Sequence, residues 1–194
     1  AREVTCSFFL FSALDSNKKE HKFLIDCGMF QGEHLCGGKN FEPFDFDAKQ
    51  VEAVFVTHPH ADHTGRLPKL FKAGFSGPVY MTHPCIGLSK LVLEDAHHIM
   101  KEESEKCGSS VLYEMEDLLN TFDSVKGVNY HEELAIAPGI SVMFHEAGHV
   151  LGSAFISVEA EGKRIVFSGD IGNDDVPILP DTESISRADV VVCE

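Results

Sequence analysis

The sequence predicts an α/β fold with β-sheets in the middle and helices outside. Apolar, β-branched and aromatic runs recur between turn residues, and amphipathic stretches alternate with them. No internal repeat or low-complexity linker interrupts the 194 residues, which are enough for one domain with a sizeable core. We therefore treat residues 1–194 as a single domain.

The strand-like runs are short, and several are continuously apolar, which is typical of strands buried on both faces. VEAVFVT at 51–57 is the clearest of these, since it holds a single charge. Strands are predicted at residues 4–12, 22–27, 51–57, 78–82, 140–145, 153–160, 163–168 and 188–193.

Three stretches instead carry apolar residues at helical spacing and are predicted to be helices: residues 64–73, 87–106 and 114–123. In the second stretch, Leu88, Leu91 and Val92 share one face, and the opposite face is charged. In the third stretch, Met115 and Leu118 repeat this pattern.

The charge balance restricts the kind of partner. With 16 basic and 31 acidic residues, the net charge of −15 has the wrong sign for non-specific nucleic-acid binding. A polyanionic substrate would need a local basic groove, residues outside this chain, or bound divalent cations that offset the charge.

The cysteines and the hydropathy indicate where the protein works. Six cysteines without a CxxC pair favour reduced thiols in a cytoplasmic protein: Cys6, Cys27, Cys36, Cys85, Cys107 and Cys193. No run approaches the ~18 apolar residues of a membrane helix, and no secretion signal is visible, so no membrane partner is expected.

The stretch THPHADHTGRLPKL, at 57–70, places three histidines and an aspartate within six positions. His58 and His60 come where a strand opens into a loop, and residues two apart in an extended segment point the same way. They can therefore converge on one ion, while Asp62 and His63 face a second ion beside it. Neutral imidazole and carboxylate are ligands that zinc accepts.

Further ligands are available after two later strands. HEAGHVLGSA offers His145 and His149, and FSGDIG offers Asp170. Each follows a strand-like run, where side chains gather at one end of a sheet.

Together these segments resemble the metallo-β-lactamase superfamily, which has an αββα sandwich with its metals at the sheet edge. The resemblance implies that Asp26, in DCG, braces the histidine loop from behind the ligands. It also implies two Zn²⁺ ions, with Asp170 bridging both. The first would be held by His58, His60 and His149, and the second by Asp62 and His63. His149 is preferred to His145 because its preceding glycine and following LGSA match the family's third motif.

The flanks are similar to those of the β-CASP nucleases, such as ribonuclease J and the endonuclease of pre-mRNA 3′ ends. The matching segments are GRLPKL at 65–70, LVLEDAHHIM at 91–100, AGHVLGSA at 147–154, and SGDIG followed by PILPD. In that branch Glu194 would start an inserted domain that carries a further histidine. We therefore expect residues 1–194 to be the N-terminal part of an incomplete metallo-β-lactamase domain, nearly inactive when isolated.

The resemblance implies a zinc-dependent phosphodiester hydrolase acting on RNA through a two-metal-activated hydroxide, with Asp62, Asp170 and Glu194 as catalytic residues. Three alternatives stay open: a DNA nuclease, a small-molecule metallohydrolase for thioesters or lactams, and a non-catalytic scaffold of an RNA-processing complex. Endo- versus exonucleolytic cleavage and a homodimeric state also stay open.

Overall fold

The computed structural model describes residues 6–31 and 38–194, which form two five-stranded sheets and four α-helices. The strands are β1 (Phe9–Leu14), β2 (Glu20–Ile25), β3 (Ala53–Phe55), β4 (Val79–Thr82), β5 (Val125–Val128), β6 (Leu134–Ala137), β7 (Ile140–Glu146), β8 (Ala154–Ala160), β9 (Lys163–Phe167) and β10 (Val190–Val192). The helices are α1 (Ala61–Thr64), α2 (Leu67–Lys72), α3 (His83–Cys107) and α4 (Met115–Asp123), with a 3-10 helix at Ala48–Gln50.

The two sheets differ in the direction of their strands. The first has the order β1-β2-β3-β4-β5, and all its pairs are parallel except β1 with β2. The second has the order β10-β9-β8-β7-β6, and all its pairs are antiparallel except β10 with β9. Strands β2, β3 and β9 are each followed, at their carboxyl ends, by a loop that carries one of the polar motifs.

The main core lies between the sheets. Phe23 and Phe55 of the first sheet pack in one cluster with Phe144, Ile156 and Phe167 of the second. The Phe55 and Phe144 ring centroids are 6.4 Å apart. Fully burying such side chains stabilises the fold by about 1.5–3 kcal/mol each, so this cluster fixes one sheet against the other.

The helices cover the outer face of the first sheet. Leu67 and Leu70 of α2 and Cys85 of α3 pack on Val54 and Met81, so β3 is buried on both faces, as its apolar run predicted. Across the described ranges no helix covers the second sheet, whose outer residues Phe155 and Val166 instead meet the segment around Ile185 and Ala188. The predicted α/β class is confirmed, with three layers of the sandwich present in these residues.

The predicted elements are confirmed with shifted ends, and two strands were missed. Residues 4 and 5 of the first predicted strand lie outside the described residues. The missed strands β5 (VKGV) and β6 (LAIA) are edge strands of four residues, with glycine or alanine where β-branched residues would signal a strand. The helix predicted at 64–73 is α2, which begins three residues later, and the short helix α1 lies just before it, with Gly65 and Arg66 between the two.

The cysteine prediction is right for four residues and wrong for one. Cys6, Cys27, Cys85 and Cys193 are free, whereas Cys107 is disulfide-bonded. Spacing along the sequence does not show which thiols the fold brings together. Cys36 lies outside the described residues. None of the helices that the structure describes is long and apolar enough to cross a membrane.

A buried histidine in β2 gives the fold a predicted pH dependence. His21 Nδ1 lies 2.8 Å from Glu52 Oε2, and its Nε2 lies 3.3 Å from Asp15 Oδ2. The hydrogen bond with Glu52 raises the pKa of His21 above its ordinary value, although burial opposes the shift. A pKa that is higher in the folded than in the unfolded chain stabilises the fold fully below about pH 6.5, and this stabilisation is lost as pH rises through the folded pKa.

We therefore expect the free energy of unfolding to fall more steeply above about pH 6.5 in the native protein than in His21→Gln. Urea denaturation at several pH values measures this. His98→Gln, at an exposed histidine of α3, is the matched control and should keep the native slope. Equal slopes for all three proteins would contradict the prediction.

Candidate metal centre

The predicted site residues meet at one edge of the two sheets. Asp26 follows β2, the histidine loop follows β3, Asp170 follows β9 and Glu194 follows β10. The loop after β7 adds His149 from the second sheet. The Ala154 amide donates to the Thr57 carbonyl at 2.8 Å, which joins the sheets at this edge.

Four donor atoms form the first group: His58 Nε2, His60 Nδ1, His149 Nε2 and Asp170 Oδ2. His60 Nδ1 is 3.1 Å from His58 Nε2 and 3.3 Å from His149 Nε2. Asp170 Oδ2 is 3.4 Å from His149 Nε2 and 3.7 Å from His58 Nε2. Four ligands at about 2.0–2.1 Å around a tetrahedral zinc ion are themselves about 3.3–3.5 Å apart, so the arrangement fits such an ion.

A second group contains the other oxygen of Asp170. Its Oδ1 lies 3.5 Å from His63 Nε2, which is also 3.5 Å from Glu194 Oε2. The Glu194 amide donates to Ser168 Oγ at 3.1 Å, which places the residue beside the centre. The structure thus brings six of the predicted residues together in two groups that share one carboxylate: His58, His60, His63, His149, Asp170 and Glu194.

Two predicted candidates stand apart from these groups. Asp62 belongs to neither group of the described residues, although its negative charge contributes to raising the pKa of His63. Its role as a ligand stays a prediction. His145, the lesser candidate in the third motif, lies in a different cluster with Glu183.

Asp26 holds the histidine loop from behind. It is fully buried, and its carboxylate accepts hydrogen bonds from the Thr57 amide at 2.7 Å, Thr57 Oγ1 at 2.8 Å and His63 Nδ1 at 2.8 Å. Because Nδ1 of His63 is held by Asp26, its Nε2 faces Asp170 and Glu194. A carboxylate behind a histidine fixes the ring and makes it a stronger metal ligand.

The histidines of the site differ in their protonation preferences. Burial, then the neighbouring imidazoles, lowers the pKa of His58 to about 2, and burial also lowers the pKa of His149. For His63 burial opposes the change, but Asp26 outweighs it and raises the pKa to about 9. His58 and His149 are therefore neutral, as metal ligands must be, whereas His63 would release a proton when it binds a metal.

Close backbone approaches make the loops around the centre intolerant of larger residues. A Cβ at Gly28 would lie 1.5 Å from the Asp62 carbonyl oxygen, and one at Gly172 would lie 1.8 Å from the Gly148 carbonyl oxygen. Both contacts are with backbone atoms, so no side-chain movement relieves them.

Sequence reasoning assigned no role to Thr57 and Arg66, yet both hold the site. Thr57 donates to Asp26 through its amide and hydroxyl. The buried Arg66 donates through Nε to the Gly28 carbonyl, and its guanidinium lies 4.8–5.4 Å from the ring centroids of Phe8, Phe30 and Phe44. Both residues lie within the motif THPHADHTGRLPKL, and this position could have indicated a role at the site.

Comparison with curated proteins finds relatives named as ribonucleases and as a transcription termination factor. The chain is 41% identical over 194 residues to "Ribonuclease TTHA0252" of Thermus thermophilus, covering all of this chain and 41% of that protein. It is 34% identical to "Transcription termination factor FttA" of Methanosarcina mazei, covering 30% of that protein. It is also 34% identical to "Endoribonuclease YSH1" of Eremothecium gossypii over 148 residues, or 70% of this chain and 19% of that protein. The chain thus spans less than half the length of these relatives.

Solved structures and a family model agree on the fold. The metallo-β-lactamase fold protein YhfI of Bacillus subtilis aligns with a TM-score of 0.50 at 18% identity, over 90% of this chain and 58% of that one. The model of the metallo-beta-lactamase superfamily domain matches residues 15–188. That match spans most of the chain and all the motifs from Asp26 to Asp170, which confirms the resemblance seen in the sequence. The chain belongs to the metallo-β-lactamase superfamily.

Proposed function

We propose that the chain carries the metal-binding part of a zinc-dependent phosphodiester hydrolase of the β-CASP type that acts on RNA. The observation that carries the proposal is the shared carboxylate: Asp170 presents Oδ2 to three histidines and Oδ1 to His63 beside Glu194. Two adjacent donor groups of this kind suit a pair of zinc ions. The ribonuclease names of the relatives support RNA as the substrate.

The bound metals would supply a nucleophile from water near neutral pH and would neutralise charge on the phosphoryl oxygens. His58, His60 and His149 would hold one of them, and His63 the other, with Asp170 between. Asp62 would add a further ligand beside His63 and would help Asp170 to orient the attacking water.

The chain's own residues set the rest of the site. Asp26 fixes the direction of His63 Nε2, and burial raises the pKa of Glu194, which faces the same atom. The side chains of Asp170 and His149 are 36% and 25% exposed, so both are accessible to solvent in this chain. Because the chain has a net charge of −15, a polyanion would bind poorly here without the cations.

The test is RNA cleavage by the protein at its natural length. We expect cleavage of a labelled single-stranded RNA to stop after treatment with EDTA and to return with Zn²⁺. A DNA strand of the same sequence and a thioester are the comparison substrates, since discrimination of RNA depends on contacts to the 2′-OH.

Faster hydrolysis of the DNA or the thioester would assign a different substrate. Metal binding without any hydrolysis would indicate a scaffold. The isolated 194-residue chain should be nearly inactive, and robust cleavage by it would contradict that part of the proposal.

A further inference from the structure

A second cluster of metal-binding side chains lies outside the centre and shares no residue with it. It consists of His131, His145 and Glu183, whose donor atoms all lie within 4.8 Å of one another. His131 lies in the turn between β5 and β6, His145 is the sixth residue of β7, and Glu183 follows the Asp170 loop. Three distant segments therefore converge on one point.

The two oxygens of Glu183 face different imidazoles. Oε1 lies 2.7 Å from His131 Nε2, and Oε2 lies 3.7 Å from His145 Nδ1. Donors bound to one zinc ion are about 3.3–3.5 Å apart, and these two distances lie on either side of that range. The exposed His131 side chain leaves the cluster open to solvent on one side.

His145 is held in the orientation that a ligand needs. Its ring stacks on Phe155 with centroids 4.7 Å apart and planes 8° apart. Ser157 Oγ lies 2.8 Å from Nε2, and when it accepts the Nε2 proton, the Nδ1 lone pair points towards Glu183. A hydrogen bond behind one ring nitrogen is the usual support of a metal-binding histidine.

That orientation has an electrostatic consequence. Burial lowers the pKa of His145 below its ordinary value, although Glu183 opposes the change, so the neutral ring is favoured at neutral pH. When the ring carries its proton on Nε2, the Nδ1 lone pair is available to a cation that lies between it and the Glu183 carboxylate. Imidazole nitrogen and carboxylate oxygen together suit zinc and other first-row transition metals.

We propose that His131, His145 and Glu183 form an additional binding site for a divalent transition-metal ion of the zinc type, which clamps the segment around Glu183 to the second sheet. This site shares no ligand with the centre around Asp170, so the proposal does not depend on the proposed nuclease activity being correct.

The clamp reaches the loop that carries His149. The Glu183 amide donates to the Glu146 carbonyl at 3.0 Å, and Thr182 Oγ1 donates to the Ala147 carbonyl at 2.8 Å. Both acceptors lie directly before Gly148 and His149. An ion that fixes Glu183 therefore also restricts this loop.

The test counts bound zinc after equilibrium dialysis of the protein at its natural length, using elemental analysis. His131→Ala is expected to bind one ion fewer than the native protein. His98→Ala, which removes an exposed histidine from α3, should bind the native number. Asp170→Asn should lose zinc at the main centre and still keep the ion that His131→Ala loses, so failure of one site is distinguishable from failure of the other.

A second readout follows the clamp itself. Hydrogen exchange of the Glu183 amide, which donates to the Glu146 carbonyl, should slow by about 100-fold in the native protein when free zinc is about 100 times the Kd. The exchange rate at this position should not respond to zinc in Glu183→Gln. Because glutamine preserves the size of the side chain, this variant also tests the proposal if His131→Ala does not fold. Equal zinc content in the native protein and His131→Ala would overturn the proposal. Hydrogen exchange that does not change with zinc would do the same, and either result would mean that the cluster is only an ion pair.

Discussion

Replacing Asp170 with alanine is expected to lower RNA cleavage by the protein at its natural length by a factor on the order of 10³ or more. Its two carboxylate oxygens face both donor groups, so the substitution removes a ligand from each proposed ion at once. Each ion would stabilise the transition state by several kcal/mol, and every 1.36 kcal/mol changes a rate about tenfold. Single-turnover cleavage and zinc content are the two measurements.

Asp174→Ala is the matched control, because Asp174 lies exposed in the same segment and belongs to neither donor group. It should keep native activity and native zinc content. Asp170→Asn should resemble Asp170→Ala, since a neutral amide is a poor bridge between two cations. A cleavage rate for Asp170→Ala within a few-fold of the control would contradict the bridging role.

Replacing Asp26 with alanine is expected to destabilise the metal-free protein by about 3–5 kcal/mol, which is the usual cost of removing one partner of a buried ion pair. The substitution leaves the Thr57 amide and His63 Nδ1 without their acceptor, and all of these groups are fully buried or nearly so. Zinc affinity should fall about 10–100-fold, because His63 loses the group that orients it. Urea denaturation and zinc competition with a chromogenic chelator measure the two effects.

Asp45→Ala, at an exposed aspartate, should change stability by no more than about 0.5 kcal/mol. Asp26→Asn keeps an oxygen for the Thr57 amide and should lose less stability than Asp26→Ala, while still losing zinc affinity. Native zinc affinity in both Asp26 variants would show that Asp26 does not support His63.

The convergence of four residues of the centre could be predicted from the sequence, because each comes shortly after a strand. His58, His60, His149 and Asp170 each follow an apolar run whose length and composition mark a strand. In the second sheet β7 and β9 run in the same direction on either side of the antiparallel β8, so their carboxyl ends lie at the same edge. The layer order was likewise predictable from the continuous apolar run of β3.

The remaining features depend on side chains brought together from distant segments. Nothing near His131 or Glu183 in the sequence marks a ligand, since each lies in a polar loop and meets the other only through the packing of the 180–189 segment on the second sheet. Strands β5 and β6 form because a neighbouring strand offers an edge to pair with, although their own β-propensity is low. The disulfide at Cys107 has no motif either.

The central claim is that two metal ions lie on either side of Asp170. Anomalous diffraction at the zinc absorption edge, from crystals of the zinc-loaded protein, tests it most directly. We expect one peak among His58, His60 and His149, and a second beside His63 and Glu194, with Asp170 between them. A map that lacks the peak in one or both of these groups would contradict the account.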